Sequence, residues 1–576
     1  MKASLLLSVS QAAVLLALLP PALRAQGPLA PPGPPGPAMR SLSQVEPRFP
    51  VSAAPVTLGQ PGSYYLTTNL SGRITVAADS VSLDLMGFSV IGTSGGAIVQ
   101  AAPVKNLLIH NGVVSAPEGN GINLGGSASN ANGRIENVRV SDCQAGGIIV
   151  GDGFLVEGCQ VWGTGLAGIR VNGSSTVRRC TVEGCGVGLY LTGTGALVEE
   201  NVVRGNADNY DFAPGNRLNL LLCEIPETLA WPCHAKLAGT LVMAGAGTGI
   251  QVSSDNVSID LGGHALVGPG TLDGYGINQT ASYKNLEVRN GSVVNWGGFG
   301  YMGIYAGGAA NRLADLTVAT NYFGVWAGSG AVVERCAALN NETTGLSVGE
   351  GSSIVSGTLQ GNADGAATEV GCSVFGCAAS GNRERGFYIG HDNVVSSCAA
   401  YGNGLQGFVV EHGCSVADCS AYANGSSGYR VGSGCAVSRC SAAENAGCGF
   451  ELNTACVVKE CAALSNDDDG YTLSDYNQVT ACNSNNNGSG AGAGFHIPGS
   501  VCRVEGCAAT SNGLGFDVDG VKNFIARNTA SGNTTNWTVA AGNVCLVVQA
   551  VTGGAFAGSS GGVAPGSADP CANFSH

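Results

Sequence analysis

The sequence has little charge. Only 11% of its 576 residues are Asp, Glu, Lys or Arg, and no long apolar run occurs beyond the N-terminus. This composition excludes a coiled coil and an acidic disordered chain. The net charge of −14 argues against a nucleic-acid partner, because nucleic-acid binding needs a basic surface that displaces counterions. The net charge does not exclude a polysaccharide or a protein as partner.

The N-terminus carries the long apolar run that the rest of the sequence lacks. Lys2 precedes an apolar stretch that ends at Leu19, and small residues lead to a cleavage point after Ala25. This pattern predicts a signal peptide over 1–25, and therefore a secreted, cell-surface or periplasmic protein with no membrane segment after cleavage. A single membrane anchor is the alternative, although no stop-transfer charges follow. Residues 26–50 are rich in Pro and predict a polyproline linker.

Regular repeats fill the second half of the chain. A column of Cys runs through it, and every step from Cys377 to Cys482 is 21 residues long. An Asn follows each of these positions by five residues. A fixed period in the low twenties is typical of solenoids, in which each repeat buries its apolar residues only against its neighbours. The regular Asn positions are Asn382, Asn403, Asn424, Asn445, Asn466 and Asn487.

Apolar and polar residues alternate within one repeat. In the repeat that begins at Cys398, pairs such as Phe408 and Val410 are separated by one residue. Alternation of this kind is typical of β-strands and not of helices. The sequence therefore predicts an all-β protein, a parallel β-helix with coils of about 21 residues. The right hand follows from the general rule for parallel crossover connections.

Stacked coils turn each sequence column into a ladder with steps of about 4.8 Å. The Asn column is expected to pass amide hydrogen bonds from coil to coil inside a buried turn. An aromatic column follows a Gly in each coil. Its rings could bind sugars if they faced outward, but the aliphatic residue two positions later favours the inward face. The aromatic residues are Phe387, Phe408, Tyr429, Phe450 and Tyr471.

Cysteine is abundant, with 22 residues. In an exported protein this number would ordinarily indicate a disulfide framework. Most of the cysteines lie in two repeat columns where Val, Asn or Gly also occur, which favours small, buried, free thiols. Cys223 and Cys233 lie outside these columns, in a connection that contains Pro, and are the best candidates for a disulfide.

The opening segment of the chain occurs twice. Residues 81–88 reappear as 257–264, which predicts two duplicated β-helix modules. Whether one helix runs through both or the modules abut stays open, and the connection between them favours abutting modules. The chain is expected to be a monomer. The predicted regions after the linker are the first module at 51–216, the second at 217–545 and a Gly/Ser-rich tail at 546–576.

Several motifs resemble a secreted bacterial family of right-handed parallel β-helix repeat proteins of planctomycete type. They are Gln44-Val45-Glu46-Pro47-Arg48, the Asp-Leu-x-Gly segments, the connection 215–229 and the ending Asp569-Pro570-Cys571. The resemblance implies the fold and an export route, and it implies no activity. A more distant similarity to polysaccharide lyases, polygalacturonases and periplasmic copper-binding β-helix proteins implies coil architecture only.

Acidic residues are concentrated in the turn after Asn466. Arg383 and Arg385 occupy the same turn four coils earlier, about 19 Å away, which is too far for one active site. A solvated turn that holds calcium loosely is the expected role. No other cofactor is predicted. The acidic residues are Asp467, Asp468 and Asp469.

A second group of ionisable residues is stacked in adjacent coils. Its two histidines are 21 residues apart, so they are expected about 5 Å from each other. Two imidazoles and two carboxylates are able to ligate zinc or copper or to act as acid and base, while an exposed polar corner is the alternative. The group consists of His391, Asp392, Glu411 and His412.

One outward column varies freely between the aromatic and aliphatic columns. It contains Tyr388 and Arg430, and Arg383 and Arg385 lie at the same end. These four residues are the predicted ligand-binding residues, because a local excess of cations and rings suits an acidic glycan. A solvated face without a ligand is the alternative.

The predicted function is that of a non-catalytic extracellular or surface protein that binds polysaccharide or a surface protein. A polysaccharide lyase or glycoside hydrolase that acts on an acidic glycan is the alternative, because enzymes on this scaffold use clustered carboxylates. The paired Asp motifs and the Gly-His-Gly of polygalacturonases are absent from the sequence. No catalytic residue is assigned from the sequence.

Overall fold

The computed structural model describes residues 46–125, 132–488, 491–549 and 569–576. The predicted signal peptide and most of the predicted linker lie outside these residues. Phe49–His576 form one compact unit, and the described residues contain β-strands and turns but no helix. Accordingly, none of them forms a helix long and apolar enough to cross a membrane.

Each coil contributes three short parallel strands. The coil from Cys398 contains Ala399–Tyr401, Phe408–Val410 and Ser415–Ala417, and each strand pairs with its counterpart in the next coil. Left-handed backbone conformations bend the chain between the strands, for example at Gly402 and Gly413, with φ of 59° and 71°. The predicted all-β parallel β-helix is confirmed.

The described strands form two narrow sheets and one wide sheet. The strands of the first narrow sheet are Val56–Leu58, Ile74–Val76, Ile98–Gln100, Ile122–Leu124, Ile148–Val150, Ala167–Val171, Val187–Leu191 and Asp208–Phe212. Those of the second narrow sheet are Glu227–Leu229, Ile250–Val252, Ile277–Gln279, Met302–Ala306, Phe323–Ala327, Leu346–Val348, Ala366–Thr368, Phe387–Ile389, Phe408–Val410, Tyr429–Val431, Phe450–Leu452, Tyr471–Leu473, Ala493–Ile497, Leu514–Val518 and Thr535–Val539.

The wide sheet collects the two remaining strands of each coil. Up to residue 260 they are Phe49–Val51, Gly62–Leu66, Leu70–Ser71, Val81–Asp84, Ser89–Ile91, Leu108–Ser115, Gly133–Cys143, Phe154–Glu157, Gln160–Thr164, Thr176–Arg178, Thr181–Glu183, Leu197–Arg204, Arg217–Leu222, Cys233–Leu237, Leu241–Val242 and Val257–Asp260. The later strands are Ala265–Gly270, Glu287–Trp296, Arg312–Ala319, Val332–Glu334, Ala337–Leu339, Ser353–Val355, Thr358–Gln360, Ser373–Phe375, Ala378–Ser380, Val394–Ser396, Ala399–Tyr401, Ser415–Ala417, Ser420–Tyr422, Ala436–Ser438, Ser441–Ala443, Val457–Lys459, Ala462–Leu464, Gln478–Thr480, Asn483–Asn485, Arg503–Glu505, Ala508–Thr510, Phe524–Ala526, Thr529–Ser531, Val544–Cys545, Val547–Gln549 and Asn573–Ser575.

The wide sheet continues through the connection between the duplicated segments. Arg217–Leu222 pairs with Leu197–Arg204 on one side and with Cys233–Leu237 on the other. The narrow face is divided at the same place, because Asp208–Phe212 ends one narrow sheet and Glu227–Leu229 begins the next. Near the C-terminus, Asn573–Ser575 pairs with strands of the wide sheet.

The Asn column forms a buried ladder. The side chain of Asn424 donates to the Oδ1 of Asn445 at 2.8 Å, and its own Oδ1 accepts from the backbone and side-chain N–H groups of Asn403. The side-chain bond repeats from Asn321 to Asn533 with distances of 2.8–3.2 Å. The predicted asparagine ladder is confirmed.

The aromatic column is a stack of buried rings. Phe408, Tyr429 and Phe450 are 0% exposed, and their ring centroids are 4.9 and 4.7 Å apart with nearly parallel planes. The stack continues beyond Tyr471 through Phe495 and Phe516. The inward orientation expected from the aliphatic column is therefore confirmed.

The two cysteine columns form ladders of buried thiols. The backbone N–H of Cys398 donates to the Sγ of Cys419 in the next coil at 3.4 Å. In the second column an Asn takes the same place, since the N–H of Cys456 donates to the Oδ1 of Asn477. These positions therefore need a small, buried hydrogen-bond acceptor, which explains why both Cys and Asn occur there.

The predicted disulfide between Cys223 and Cys233 is not present in the structure, where both are free thiols. Asn219 pairs with His234, so Cys233 lies level with Leu218, five residues before Cys223. At about 3.3 Å per residue the two are about 16 Å apart. A disulfide needs Cα atoms within about 7 Å, so this arrangement keeps them apart.

A thiol titration tests the burial of the two cysteine columns and the absence of a disulfide between Cys223 and Cys233. Burial raises the pKa of the Cys336 thiol to about 11 and that of Cys233 to about 12, and the thiolate is the reactive form. We expect Ellman's reagent at pH 7 to label at most four thiols of the native protein, the partly buried Cys223, Cys448, Cys545 and Cys571. Unfolding without a reductant should expose all 22.

A count of 20 thiols in the unfolded protein, recovered to 22 by a reductant, would contradict this account and establish one disulfide. Rapid labelling of most thiols in the native protein would show that the two columns are exposed.

Candidate functional site

The outer face of the second narrow sheet carries one side chain per strand. Strand alternation turns the aromatic and aliphatic residues inward, so the residue between them points outward. Neighbouring outward residues pair directly across the sheet, as Arg430 does with Glu451 and His496 with Asp517. From the strand Ala366–Thr368 onward, the outward column is Ala367, Tyr388, Val409, Arg430, Glu451, Thr472, His496, Asp517 and Thr538.

A shallow groove of about 370 Å³ lies in the middle of this column. Val409, Glu411, His412, Arg430 and Glu451 are among the residues that line it. Arg430 and Glu451 are exposed, and among the described residues neither has a hydrogen-bond or ion-pair partner. The groove therefore offers one unpaired guanidinium and one unpaired carboxylate side by side.

Tyr388 extends the groove at one end and is held by its neighbours. Its hydroxyl donates to the Oε1 of Glu411 at 3.2 Å, and the guanidinium of Arg385 lies 4.7 Å from the ring centroid. Arg385 is itself fixed by two 2.9 Å hydrogen bonds to the carboxylate of Asp364. This network holds the hydroxyl and one face of the Tyr388 ring and leaves the side chain partly exposed.

The predicted excess of positive charge on this face is wrong. The charge of Arg385 is neutralised by Asp364, and Arg383 donates to the backbone carbonyl of Glu342. Glu411 and Glu451 line the same groove as Arg430. Asp364 lies 21 residues before Arg385, so the repeat interval that aligns the other columns also aligns this pair. Of the four residues predicted to bind ligand, Arg385 and Tyr388 are in contact, whereas Arg383 reaches two coils back and Arg430 lies two coils further on.

The two histidines of the predicted group stack as expected, but the four residues do not bring their ligand atoms together at one point. The rings of His391 and His412 are stacked with centroids 5.3 Å apart. The Nδ1 of His412 accepts the backbone N–H of Ser433 at 2.9 Å, and Glu411 is bonded to Tyr388. Among the described residues, no three of His391, Asp392, Glu411 and His412 bring ligand atoms within 4.8 Å of one another.

The three aspartates of the acidic turn differ in burial. Asp467 and Asp468 are exposed, whereas Asp469 is 7% exposed. The carboxylate of Asp469 accepts hydrogen bonds from the Ala493 N–H at 2.6 Å, from the Thr472 hydroxyl at 3.0 Å and from His496 Nδ1 at 2.8 Å. Burial would raise the pKa of Asp469, but the bonds from His496 and Ala493 outweigh it, so the pKa is lowered.

His496 lies between this buried carboxylate and an exposed one. Its Nε2 is 3.3 Å from the Oδ2 of Asp519, and Asp517 is its direct neighbour in the next coil. The hydrogen bond to Asp469 raises the pKa of His496 to about 9. Burial, followed by the charge of Asp519, raises the pKa of Asp517. At neutral pH the imidazolium therefore bridges two carboxylates.

The sequence pattern did not identify His496, Asp517 or Asp519. The regular 21-residue step becomes 25 between Cys482 and Cys507, which hides the continuation of the columns. Gly494-Phe495 repeats the Gly-aromatic pair of the earlier coils. Following that pair across the insertion would have placed His496 in the outward column.

A comparison with protein-family models agrees with the fold. A family model described as a right-handed β-helix region matches residues 86–220. No curated protein sequence matches the chain. Similar solved structures include the Dettilon tailspike protein (gp208), at 13% identity and a TM-score of 0.23, with 62% of each chain covered. The chain thus spans less than two thirds of the tailspike's length.

Two epimerases are similar at the same level. The Azotobacter vinelandii mannuronan C-5 epimerase AlgE6 A-module is 11% identical with a TM-score of 0.19, over 80% of this chain and 86% of that one. A mutant of the periplasmic alginate epimerase AlgG is 8% identical with a TM-score of 0.19, over 77% and 80%. Such values carry no information on activity. By its strand pairing and by the match over 86–220, the protein is a right-handed parallel β-helix.

Proposed function

We propose that this protein is an exported, non-catalytic polysaccharide-binding protein. The polysaccharide lies on the outer face of the second narrow sheet, between Tyr388 and Glu451. Export follows from the signal-like pattern of residues 1–25, which lie outside the described residues. The inner columns are filled with buried side chains, which leaves the outer face for a ligand.

One observation carries this proposal: Arg430 and Glu451 are adjacent, exposed and without a partner among the described residues. Sugar hydroxyl groups both donate and accept hydrogen bonds, so they match a guanidinium next to a carboxylate. The rigid sheet holds such side chains about 4.8 Å apart along the helix axis. The sheet fixes the backbone positions of both residues, while each side chain loses rotamer freedom, about 0.5–1.5 kcal/mol, when a ligand binds.

The mixed charge of the groove favours a neutral polysaccharide. Glu451 is the direct neighbour of Arg430 in the next coil and Glu411 lines the same groove, so a polyanion would meet repulsion from two carboxylates in the groove. Tyr388 adds an amphipathic ring at the edge of the groove, a surface on which the apolar face of a sugar can pack.

A glycan array followed by affinity measurement tests the proposal. We expect the protein to bind a hydroxyl-rich neutral polysaccharide, and we expect the double variant Arg430→Ala/Glu451→Ala to bind it at least about tenfold more weakly, since each lost polar contact costs about 1–2 kcal/mol. The matched control is Asp418→Ala/Arg439→Ala. It also removes one charge of each sign, from an exposed ion pair on the wide sheet, and should leave the affinity unchanged.

Equal affinities of the groove variant and the wild type, or binding lost equally in both double variants, would overturn the proposal. The enzymatic alternative is tested on the same glycans with reducing-end and unsaturated-product assays. Turnover that is lost in Asp467→Asn/Asp468→Asn would show a lyase or hydrolase instead.

A further inference from the structure

We propose that His496, Asp517 and Asp519 form a binding site for a divalent transition-metal ion, for which Zn²⁺ is the probe. The ligands would be the Nε2 of His496 and one carboxylate oxygen from each aspartate. This site is separate from the glycan groove, because Thr472 lies between Glu451 and His496 in the outward column.

The spacing of the ligand atoms fits one small ion. One ligand atom from each of the three residues lies within 4.8 Å of the others. A tetrahedral Zn²⁺ ion with bonds of about 2.0–2.1 Å places its ligand atoms about 3.3–3.4 Å apart. The Nε2 of His496 and the Oδ2 of Asp519 are 3.3 Å apart, so an ion can bridge them in place of the Nε2 proton.

Asp469 orients the imidazole for this role. It is buried, and its carboxylate binds the Nδ1 side of His496 at 2.8 Å. The bonds from the Ala493 N–H and the Thr472 hydroxyl fix that carboxylate in turn. Metal-binding histidines usually donate their second ring N–H to such a carboxylate, which sets the tautomer and the direction of the ring. Asp469 is therefore a positioning residue that leaves Nε2 facing Asp519.

The chemistry of the ligand set selects the type of ion. Calcium and magnesium take oxygen ligands, whereas an imidazole with carboxylates suits zinc and its neighbours in the transition series. The nearby set of Cys448, Asp468 and Asp469 also brings three ligand atoms within 4.8 Å. It is the weaker candidate, because both oxygens of Asp469 already accept hydrogen bonds from the protein.

Calorimetric titration of the chelator-treated full chain with Zn²⁺ tests the site. We expect one ion per chain. Affinity should fall at least about 100-fold in His496→Ala, and also in Asp519→Asn, whose exposed side chain makes an effect on folding small. The control His391→Ala/His412→Ala removes the stacked histidine pair and should bind Zn²⁺ like the wild type. Far-UV circular dichroism of each variant checks the fold.

The role of Asp469 has its own readout. Asp469→Asn should weaken Zn²⁺ binding about 10–100-fold and shift the visible absorption spectrum of the Co²⁺-loaded protein, because the imidazole is no longer fixed.

No Zn²⁺ binding by the wild type would overturn the proposal. Unchanged affinity in both His496→Ala and Asp519→Asn, or loss of binding in the His391/His412 control, would do so as well. Glycan binding by the groove is expected in His496→Ala, Asp519→Asn and Asp469→Asn, none of which changes a residue that lines the groove, so failure of this site leaves the proposed function standing.

Discussion

Replacing Phe450 by Ala is expected to lower the free energy of unfolding by about 3–5 kcal/mol. The ring is fully buried and stacks on Tyr429 at 4.7 Å and on Tyr471 at 4.9 Å. Its removal leaves a cavity between two rings that the hydrogen-bonded coils hold in place, so neither ring can move in to fill it. Urea denaturation followed by circular dichroism measures the effect.

The control for this variant is an outer ring of the same kind. Tyr422 stacks on Tyr401 at 5.5 Å but is 40% exposed. Tyr422→Ala should therefore change the free energy of unfolding by less than about 1 kcal/mol, since little buried area is lost. Similar losses for the two variants would show that the aromatic column does not form the core.

Replacing Asn424 by Ala is expected to cost about 1–3 kcal/mol, the cost of leaving buried polar groups without partners. The backbone and side-chain N–H groups of Asn403 both donate to the Asn424 Oδ1, at 3.1 and 2.9 Å. The Asn424 amide also donates to Asn445 and to the carbonyl of Ala400. The turn is buried, so water cannot easily replace these bonds. Differential scanning calorimetry and urea denaturation give the change.

Ser426, in the adjoining turn, provides the control. Its hydroxyl accepts one part-buried bond from Gln406 at 3.2 Å, and solvent can take over that bond in Ser426→Ala. We expect a change of less than about 0.5 kcal/mol. Equal melting temperatures for Asn424→Ala and Ser426→Ala would contradict the ladder as a source of stability.

The ladders could be predicted because the 21-residue repeat of the sequence equals the number of residues in one coil. Residues 21 apart, such as Asn403 and Asn424, occupy equivalent positions in adjacent coils, and the sequence interval alone brings them together. The inward direction of Phe408 followed in the same way from Val410, since strand alternation gives both the same face. No contact beyond the neighbouring coil was needed.

The site could not be predicted as well, because its contacts join different parts of adjacent coils. Asp469 in a turn reaches His496 in the middle of a strand, and Asp519 reaches the same ring from a corner. The 25-residue step before Cys507 also interrupts the register that would have aligned them. The pairing of Arg385 with Asp364 is different, because the two residues are 21 apart and the repeat interval alone could have predicted it.

The central claim is that a polysaccharide lies on Arg430 and Glu451. Carboxylate labelling with a carbodiimide, read by mass spectrometry with and without the polysaccharide selected on the array, measures this most directly. We expect the ligand to reduce labelling of Glu451 several-fold and to leave unchanged the exposed Glu460, which lies in the bend between two strands of the wide sheet. Equal labelling of Glu451 in the free and the bound protein would contradict it.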